Sequence, residues 1–576
     1  MMSVWGPRKL VPLAMLFLLA LLPRLYSAQT LGWNWDYPGS FTLVNFDEGG
    51  SCRAALEGFA YSTFVGRQTI AIARVLGRGP PPGIAGDAAR VEAYCHSPQH
   101  LRIARSWSAV TGALTVVLVG VIGLLLWPQR PAVAWTAAAL LAVSGFHVSQ
   151  SHSGTVDAPS VFFIYAFLAL LVCAALRKSR AAALTSPLLL VPALWAKYWV
   201  FALFAYAGLA PLRVWRYVSH GMSARRLVLV ALATAILLGL LTNSAFQALG
   251  LYPLLAVCVL WYLVIPWRRL RRPMVLWWLL LPLLAFGLCR IDLVAAYTTS
   301  GASGRFGSGY AAIGWHKWLR NLVNVPAVLL VGLGLPACLF IAAGVGQACR
   351  DVARRRAWLC LLLPVLAFTV YMAVLAPVTY YRHYLPLLPA AALLAACGLY
   401  ATRWAQRRWF LALFFAWPAL LALDMVSDYH SDPRIALRQW FASHPNTRVF
   451  YSFYVNPPVQ ALGNSRLFRP EYAFGAAAAL RQAQYLILSE NWYDTAFANE
   501  LNGPLVDDLD HLIKTTPAYA RFYRAALAGS QPHLQPEQAL EVENFMPELV
   551  VHRALYGTFQ LFVGDIRILR VIDPIE

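Results

Sequence analysis

Long apolar stretches recur along most of this chain, and they constrain its fold more than any other feature. From Leu10 to Val426 they are repeatedly long enough to cross a hydrocarbon core of roughly 30 Å. Hydrophobic residues make up 59% of the 576 residues and charged residues only 13%, which excludes an ordinary soluble domain. The sequence therefore predicts a polytopic α-helical membrane domain, 1–427, followed by an extracytoplasmic α/β domain, 428–576.

Clusters of Arg and Lys between the apolar stretches predict the topology, because basic loops stay in the cytoplasm. About thirteen helices place every cluster on that side: 10–28, 107–127, 132–148, 158–176, 182–196, 198–212, 227–245, 252–266, 274–290, 322–346, 357–376, 385–401 and 409–426. The pair within 182–212 is short, but a single helix there would invert the later topology against the charge rule. The net charge of +21 is then explained by orientation rather than by nucleic-acid binding.

The first apolar segment has a signal peptide as its alternative interpretation, since Ser27 and Ala28 resemble a cleavage site. In either case the loop 29–106 faces outward. Arginine greatly outnumbers lysine, which indicates a GC-rich bacterial genome and hence a bacterial plasma (inner) membrane. We expect a multi-pass protein whose site and C-terminal domain face the periplasm or cell exterior.

This topology collects ionisable residues from distant parts of the chain on the outer face. They are Asp47, Glu48, His152, Asp157, Lys197, Arg305, Arg382 and His383. Charged groups at membrane depth are costly and tend to be functional. A cluster of both signs can bind an anionic head group beside a carboxylate, so the convergence predicts a site.

Each member of this outer cluster also has a purely structural interpretation. Asp47 and Glu48 would simply be solvated or cap a helix, and Asp157 would be the N-cap of the fourth helix. Lys197 would extend its amine to the membrane surface. Arg382 would anchor a belt of interfacial aromatic residues. The sequence alone leaves these alternatives open.

Four motifs carry a resemblance to a known family. They are Arg24 at the end of the first helix with Phe46-Asp47-Glu48 in the following loop, the stretch 151–159 (Ser-His-Ser-Gly-Thr-Val-Asp-Ala-Pro), the dipeptide Lys197-Tyr198, and the run 382–389. In these motifs the chain resembles membrane glycosyltransferases of the GT-C superfamily. The bacterial group concerned is similar to protein O-mannosyltransferases (dolichyl-phosphate-mannose-protein mannosyltransferases) and lipid A aminoarabinose transferase.

The resemblance implies an inverting glycosyltransferase that moves a sugar, hexosyl or pentosyl, from a polyprenyl-phosphate donor to a hydroxyl of a lipid, glycan or protein. It makes Asp47 the general base, with Glu48 and Asp157 orienting the acceptor or the base. It assigns donor-phosphate binding to Lys197, Arg382, Arg305 and His383. Such chemistry needs a carboxylate for the acceptor proton and cations for the leaving phosphate. Asp157 remains an alternative base.

We expect no cofactor and no metal. Some members of the superfamily hold a divalent cation between such acids, but hard cations prefer six or more oxygen ligands, and this cluster offers three carboxylates. Cysteine and histidine spacing typical of a zinc site is not evident either.

Two cysteines, Cys52 and Cys95, lie in the first outer loop, on the side of the membrane where disulfides persist. A bond between them would close the loop that carries Asp47 and Glu48, and two free thiols are the alternative.

The C-terminal region begins with a helix-start signature, Asp432 followed by Pro433, and 435–444 is amphipathic. The runs 448–455, 484–489 and 557–572 are rich in β-branched and aromatic residues and predict strands.

Two other classes of function remain open from the sequence. A lipid or sugar transporter, or flippase, would also place ionisable residues between helices. A non-catalytic subunit of an envelope assembly would tolerate substitution of Asp47, whereas an enzyme would not.

Overall fold

The structure is a computed structural model. It describes residues 7–33, 43–45, 47–57, 62–177, 179–197, 200–205, 315–374, 381–468, 480–494, 497, 517–556 and 563–572. The predicted spans 227–245, 252–266 and 274–290 lie outside these residues, as does most of 198–212.

Helices dominate the part of the chain up to His430. In order they are α1 Pro7–Thr30, α2 Gly50–Glu57, α3 Thr63–Val75, α4 Ala88–Cys95, α5 Pro98–Leu126, α6 Pro131–Ala142, α7 Gly145–His152, α8 Asp157–Arg177, α9 Arg180–Lys197, α10 Trp315–Leu333, α11 Leu335–Arg350, α12 Arg355–Val374, α13 Leu387–Tyr400 and α14 Arg408–His430. Short 3₁₀ helices lie at Val200–Phe204, Val352–Arg354, Tyr381–Tyr384 and Arg403–Gln406.

Several of these helices are long and apolar enough to cross a membrane. Within the described ranges there are five, Arg8–Thr30, Pro98–Leu126, Asp157–Arg177, Val352–Ala373 and Arg408–Ser443, or six if the bent pair Pro131–Ala142 and Gly145–His152 is one span. A multi-pass membrane protein follows from them, while the total of about thirteen spans stays a prediction.

One predicted helix, 322–346, is wrong. The structure has two helices there, α10 and α11, which meet at Gly334. Gly334 has φ +77°, a left-handed conformation that glycine adopts without a steric penalty, and Pro336 lies in the first turn of α11, where its missing N–H costs nothing. The hydrophobic pattern does not indicate this break, because the residues on both sides of Gly334 are apolar.

The predicted span 132–148 also breaks, between α6 and α7, with a bend of 57°. The fully buried side chain of Arg24 compensates for the break, because its Nη1 donates to the carbonyl of Ala142 (3.0 Å) and its Nη2 contacts Nδ1 of His147 (3.0 Å). Backbone groups freed within a bilayer need such partners. Arg24, which lies within the last two turns of α1, therefore fixes the geometry of the α6–α7 corner.

Close helix packing depends on small residues where α11 crosses α13. A Cβ added to Gly344 would lie 1.9 Å from the carbonyl oxygen of Leu394, and one added to Gly398 would lie 2.0 Å from that of Phe340. Small residues at such crossings let the two backbones approach each other in a membrane. This contact sets α13, and with it the preceding 3₁₀ turn, against the rest of the bundle.

Among its described residues, the C-terminal region has four further α-helices and a sheet. They are α15 Pro433–Ser443, α16 Val459–Leu462, α17 Pro517–Leu527 and α18 Pro547–Tyr556, with strands β1 Val449–Tyr451, β2 Ser465–Leu467, β3 Tyr485–Ser489, β4 Leu534–Leu540 and β5 Ile566–Val571. The strand order is β2-β1-β3-β5-β4, with β1 parallel to both β2 and β3 and the other pairs antiparallel. The domain boundary at 427/428 stays a prediction.

Carboxylates hold this sheet region against the membrane helices. Asp424 of α14 accepts hydrogen bonds from the backbone N–H groups of Phe545 (2.9 Å) and Met546 (2.6 Å). Glu548 of α18 accepts from Nε1 of Trp417 (2.6 Å). The sheet is thereby positioned over the end of the bundle at which α14 finishes.

The first outer loop contains α2, α3 and α4, and it is closed by a bond between Cys52 and Cys95, whose Cα atoms are 5.7 Å apart. Both cysteines are buried with Ile70, Ile84 and Val91 in a small apolar core. Because α2 begins directly after Glu48 and Gly49, this core supports the acidic pair from behind.

Replacing both Cys52 and Cys95 by serine is expected to destabilise this loop by about 4 kcal/mol, because the bond spans 43 residues and limits the entropy of the unfolded loop. Limited proteolysis of the purified protein would measure the loss as faster cleavage within 62–95. The matched control is Cys349→Ser, an exposed thiol outside the loop. Equal cleavage of all three proteins would contradict the stabilising role.

Candidate active site

The acidic pair lies in a tight turn before α2. Glu48 N–H donates to the carbonyl of Asn45 (3.0 Å), and Asp47 N–H donates to the side-chain oxygen of the same residue (3.0 Å). Gly49 follows with φ +81°, which a side chain would strain. The turn points its two consecutive carboxylates toward different partners.

Asp47 forms an ion pair with Arg382, with Oδ2 2.5 Å from Nη2. Arg382 belongs to the 3₁₀ turn Tyr381–Tyr384 that precedes α13, and its side chain is buried, whereas 20% of the Asp47 side chain is exposed. Nη1 of Arg382 also contacts the Asn45 side-chain oxygen at 3.5 Å. Residues more than 300 positions apart are thus joined at one face of the bundle.

Asp157 and Lys197 form a second ion pair. Asp157 is the first residue of α8 and Lys197 the last of α9, and these helices pack antiparallel, so both ends reach the same face. The Asp157 side chain is 2% exposed, and its negative charge interacts favourably with the positive end of the α8 dipole. The two pairs share one arrangement, a cation from one element held by a carboxylate from another.

A cavity of about 140 Å³ is lined by both residues of the second pair, Asp157 and Lys197, and by Arg382 of the first. Ser160 and His383 add further polar groups. The apolar lining residues are Val161, Phe368, Tyr371, Met372, Leu385 and Pro386. The cavity therefore combines charged side chains with a hydrophobic surface, half of whose residues come from α12.

Glu48 has different surroundings from Asp47. It is completely buried, and its two oxygens accept from Nε and Nη2 of Arg105, each at 2.7 Å. Oε1 also accepts from the N–H of Gly154 (2.7 Å) and Oε2 from that of Val44 (2.9 Å). The carboxylate clamps the acidic turn to α5 and to the loop before α8.

Burial on its own would raise the pKa of Glu48, but the charge and hydrogen bonds of Arg105 and the two backbone N–H donors outweigh it. The pKa therefore lies below its ordinary value of 4.5. Glu48 is held ionised, and its lone pairs are directed at protein donors rather than at the cavity.

Sequence reasoning missed Arg105. It is fully buried, and it also donates to the carbonyl of Leu31 (2.5 Å). The predicted span began at 107, two residues too late to include it. An arginine within the apolar helix α5 was the signal that would have found it, since such a charge needs a partner at membrane depth.

The other predicted residues are placed as follows. His383 is half-buried and lines the 140 Å³ cavity. His152 is fully buried, with its ring 4.8 Å from that of Tyr429, and is not among the residues that line this cavity. Arg305 lies outside the described residues. The structure thus brings together Asp47, Asp157, Lys197, Arg382 and His383.

A larger cavity of about 450 Å³ adjoins the acidic turn on its other side. It is lined by Leu43 to Asn45, by Tyr429 and Arg434, and by residues at the carboxyl ends of the parallel strands β1, β2 and β3, namely Tyr451, Leu467 and Ser489. Phe453, Tyr454, Asn456 and Asn491 also line it, as do Asp432, Pro433, Pro457, Leu462, Val563, Gly564 and Ile566. Arg434 is held by Asp432 at 2.5 Å and donates to the carbonyl of Leu43 (3.2 Å).

Asn45 connects the two cavities. It lines the larger one, and its side-chain oxygen contacts both Asp47 N–H and Arg382, which lines the smaller one. Asp47 is not itself among the residues that line either cavity, but it is linked to the larger one through Asn45 and to the smaller one through Arg382.

Each carboxylate of this site is paired with a different basic side chain: Asp47 with Arg382, Asp157 with Lys197 and Glu48 with Arg105. Among the described residues, no group of three or more His, Cys, Asp or Glu side chains is placed to hold a metal ion.

Comparison with solved structures gives matches over nearly the whole chain. The oligosaccharyltransferase AglB from Archaeoglobus fulgidus, in complex with an inhibitory peptide and a dolichol-phosphate, is matched at 11% identity and a TM-score of 0.47, covering 98% of this chain and 88% of that one. ArnT from Cupriavidus metallidurans in the apo state is matched at 14% identity and a TM-score of 0.40, covering 97% and 98%. The chain is similar to these two proteins over nearly its whole length.

A third match is the same ArnT bound to undecaprenyl phosphate, at 13% identity and a TM-score of 0.39, covering 84% of this chain and 94% of that one. No protein-family model matches the sequence, and no curated protein matches it significantly. Such low identities and TM-scores support no statement about substrate, so the function proposed below depends on the residues of this chain.

Proposed function

We propose that the protein is a GT-C glycosyltransferase that moves a sugar, hexosyl or pentosyl, from a polyprenyl-phosphate donor to an acceptor hydroxyl, with inversion. One observation carries the proposal: Asp47 is paired with Arg382, a cation that lines the smaller cavity, and is hydrogen-bonded to Asn45, which lines the larger one. A base placed between a site for a lipid phosphate and a site for a polar acceptor is what this reaction needs. The reaction is proposed to need no metal.

The smaller cavity suits the phosphate end of the donor. Lys197 and Arg382 supply two cations, and His383 adds a further donor group. The apolar wall formed by Phe368, Met372 and their neighbours suits the first isoprene units of a polyprenyl chain. Charged and apolar groups in one small cavity match an amphiphile, whereas a free sugar phosphate would gain little from the apolar wall.

The proposed mechanism of transfer begins with an exchange of ion-pair partners. A donor phosphate that binds Arg382 and Lys197 replaces the carboxylates of Asp47 and Asp157 as their counter-ion. Asp47 is then free to accept the acceptor's hydroxyl proton while that oxygen forms a bond to the anomeric carbon. The bond from this carbon to the phosphate oxygen breaks, and its electron pair leaves with the polyprenyl phosphate. Attack opposite the leaving group inverts the configuration.

Asp47 is favoured over Asp157 as the base by exposure. The Asp47 side chain is 20% exposed, whereas that of Asp157 is 2% exposed and lies against Lys197. We assign Asp157 to the orientation of Lys197. Glu48 is expected from the resemblance to orient the acceptor or the base; we propose that it acts by holding the turn that carries Asp47, because Arg105 and two backbone donors occupy its oxygens.

The larger cavity suits the acceptor. Tyrosine and phenylalanine rings provide flat apolar surfaces, and Asn45, Asn456 and Asn491 provide donors and acceptors for hydroxyl groups. We place this face toward the periplasm or cell exterior of a bacterial inner membrane, with lipid, glycan and protein hydroxyls as candidate acceptor classes.

Transfer of a radiolabelled sugar from polyprenyl-phosphate donors to bacterial membrane extract by the purified protein tests the proposal. Lys197→Met is expected to lower transfer about 10²- to 10³-fold, because one cation that stabilises the leaving phosphate is lost. The matched control is Lys9→Met, whose amine contacts the carbonyl of Pro128 in the turn between α5 and α6, away from this site. Binding of polyprenyl phosphate without any transfer or hydrolysis would favour a transporter instead.

A further inference from the structure

A second polar cavity, of about 580 Å³, lies at the other end of the bundle from Asp47. It is formed by the turn between α5 and α6, the ends of α11 and α13, and the start of α12. The 14 residues of α13 separate it from the turn that carries Arg382, a distance of about 20 Å along the helix axis. It therefore shares no residue with the candidate active site and lies on the cytoplasmic side in the proposed orientation.

Arginine side chains give this cavity its charge. Arg130, Arg350 and Arg354 line it, together with one carboxylate, Asp351. Asp351 is engaged by Arg354, with Oδ2 2.7 Å from Nη1 and Oδ1 accepting from the Arg354 N–H at 3.1 Å. In the part of the chain that the structure describes, no carboxylate lies within ion-pair distance of Arg130 or Arg350. The cavity thus has an excess of positive charge.

Aromatic and amide groups form the rest of the wall. The rings of Trp127 and Trp358 lie 5.6 Å apart, and Nε1 of Trp358 is buried without a hydrogen-bond partner among the described residues. Gln129, Gln347 and Tyr400 add polar groups. Tryptophan is favoured at the level of lipid head groups, where one part of the ring is apolar and the N–H is polar.

Arginines that only orient a membrane protein are distributed over water-facing loops. Here they come from the α5–α6 turn, the end of α11 and the turn before α12, and they surround one concave space beside two indoles. Guanidinium groups bind phosphate oxygens in paired hydrogen bonds, and basic pockets between membrane helices bind anionic head groups. We propose that this cavity binds a phosphate group, carried either by an anionic membrane lipid or by a soluble phosphate of the cytoplasm.

Binding to the full-length purified protein in detergent tests this proposal, with three probes measured side by side. They are short-chain phosphatidylglycerol, short-chain phosphatidylcholine and inorganic pyrophosphate. We expect phosphatidylglycerol or pyrophosphate to bind more tightly than phosphatidylcholine, and this preference to weaken as salt rises. Preference for phosphatidylglycerol identifies a lipid head group, and preference for pyrophosphate identifies a soluble phosphate.

Arg130→Gln/Arg350→Gln is expected to weaken binding of the preferred probe at least about tenfold, because each arginine supplies a charge-assisted hydrogen bond. Both side chains are exposed, so the fold is expected to be unaffected. Arg407→Gln/Arg408→Gln is the matched control, since it removes the same charge from exposed residues at the start of α14 that do not line the cavity.

Equal weakening by both double variants would show diffuse attraction to basic loops and would overturn the proposal. The proposal would also be overturned if neither phosphatidylglycerol nor pyrophosphate bound more tightly than phosphatidylcholine. Trp358→Phe gives a second measurement that keeps the charge, and it is expected to weaken binding severalfold if the indole N–H donates to the bound phosphate.

Discussion

Asp47→Asn is expected to lower sugar transfer about 10²- to 10⁴-fold, the usual contribution of a general base, while donor binding is kept or strengthened. The amide cannot accept the acceptor's proton. It also no longer competes as an anion for Arg382, whose Nη2 lies 2.5 Å from the Asp47 carboxylate. A donor phosphate would then meet a cation with a weaker partner. A fall in the transfer rate together with unchanged or tighter donor binding distinguishes a general base from a group that only binds the donor.

Measurement requires the KM and kcat for a polyprenyl-phosphate sugar, with donor affinity determined separately by equilibrium binding. Asp87→Asn is the matched control, because Asp87 caps α4 in the same outer loop, 46% of its side chain is exposed, and asparagine caps a helix equally well. If Asp47→Asn loses donor affinity in proportion to turnover, Asp47 is a binding group, and Asp157→Asn becomes the variant to test for the base.

The position of the candidate site could be predicted from the sequence because a membrane restricts where charges lie. Asp157, Lys197 and Arg382 each lie within three residues of the outward end of a predicted helix, and Asp47 lies in the outward loop 29–106, so the charge rule places all four on one face. Residues that share a face of a compact bundle are close together. The specific pairing, Arg382 with Asp47 and Lys197 with Asp157, could not be predicted, because it depends on which helices are neighbours.

Two features were not predicted from the sequence, for physical reasons. The break at Gly334 occurs within a uniformly apolar run, where the hydrophobic pattern does not reveal it; Gly334 and Pro336 were the local signal that would have indicated it. The role of Glu48 was hidden because adjacent residues in a loop look equivalent until the turn is known. Because of the turn at Asn45, the Asp47 carboxylate pairs with Arg382 and stays partly exposed, whereas the Glu48 carboxylate pairs with Arg105 and is completely buried.

In the C-terminal region, by contrast, several elements could be predicted from the sequence. Asp432 and Pro433 predicted a helix start, and α15 begins there, with the Asp432 side chain accepting from the N–H of Arg434 at 2.9 Å. Three predicted strand regions contain β1, β3 and β5. Such local signals depend on a few neighbouring residues and not on the tertiary structure, so they can be read from the sequence. The cavity between this sheet and the acidic turn depends on contacts between residues nearly 400 positions apart, so it could not be predicted.

Glu48→Gln is expected to lower the free energy of unfolding of the outer-loop region by about 3–5 kcal/mol, the usual cost of removing one partner of a buried ion pair. Arg105 would remain fully buried without its anion, and the new amide N–H groups would face the donors of Gly154 or Val44. Thermal unfolding in detergent, followed by tryptophan fluorescence, measures the loss. Transfer activity is expected to fall with it, since the turn that carries Asp47 is released.

Glu92→Gln is the control, because Glu92 lies in the same loop with 53% of its side chain exposed and forms only long surface ion pairs. The pKa of Glu48 is lowered in the folded protein, so its ion pair contributes full stability above the ordinary pKa of 4.5 and loses it as the pH falls through the lower folded-state value. The difference in stability between wild type and Glu48→Gln should therefore shrink below about pH 4.5. A difference that is small at pH 7, or that does not change with acid, would show that the pair is not what holds the acidic turn in place.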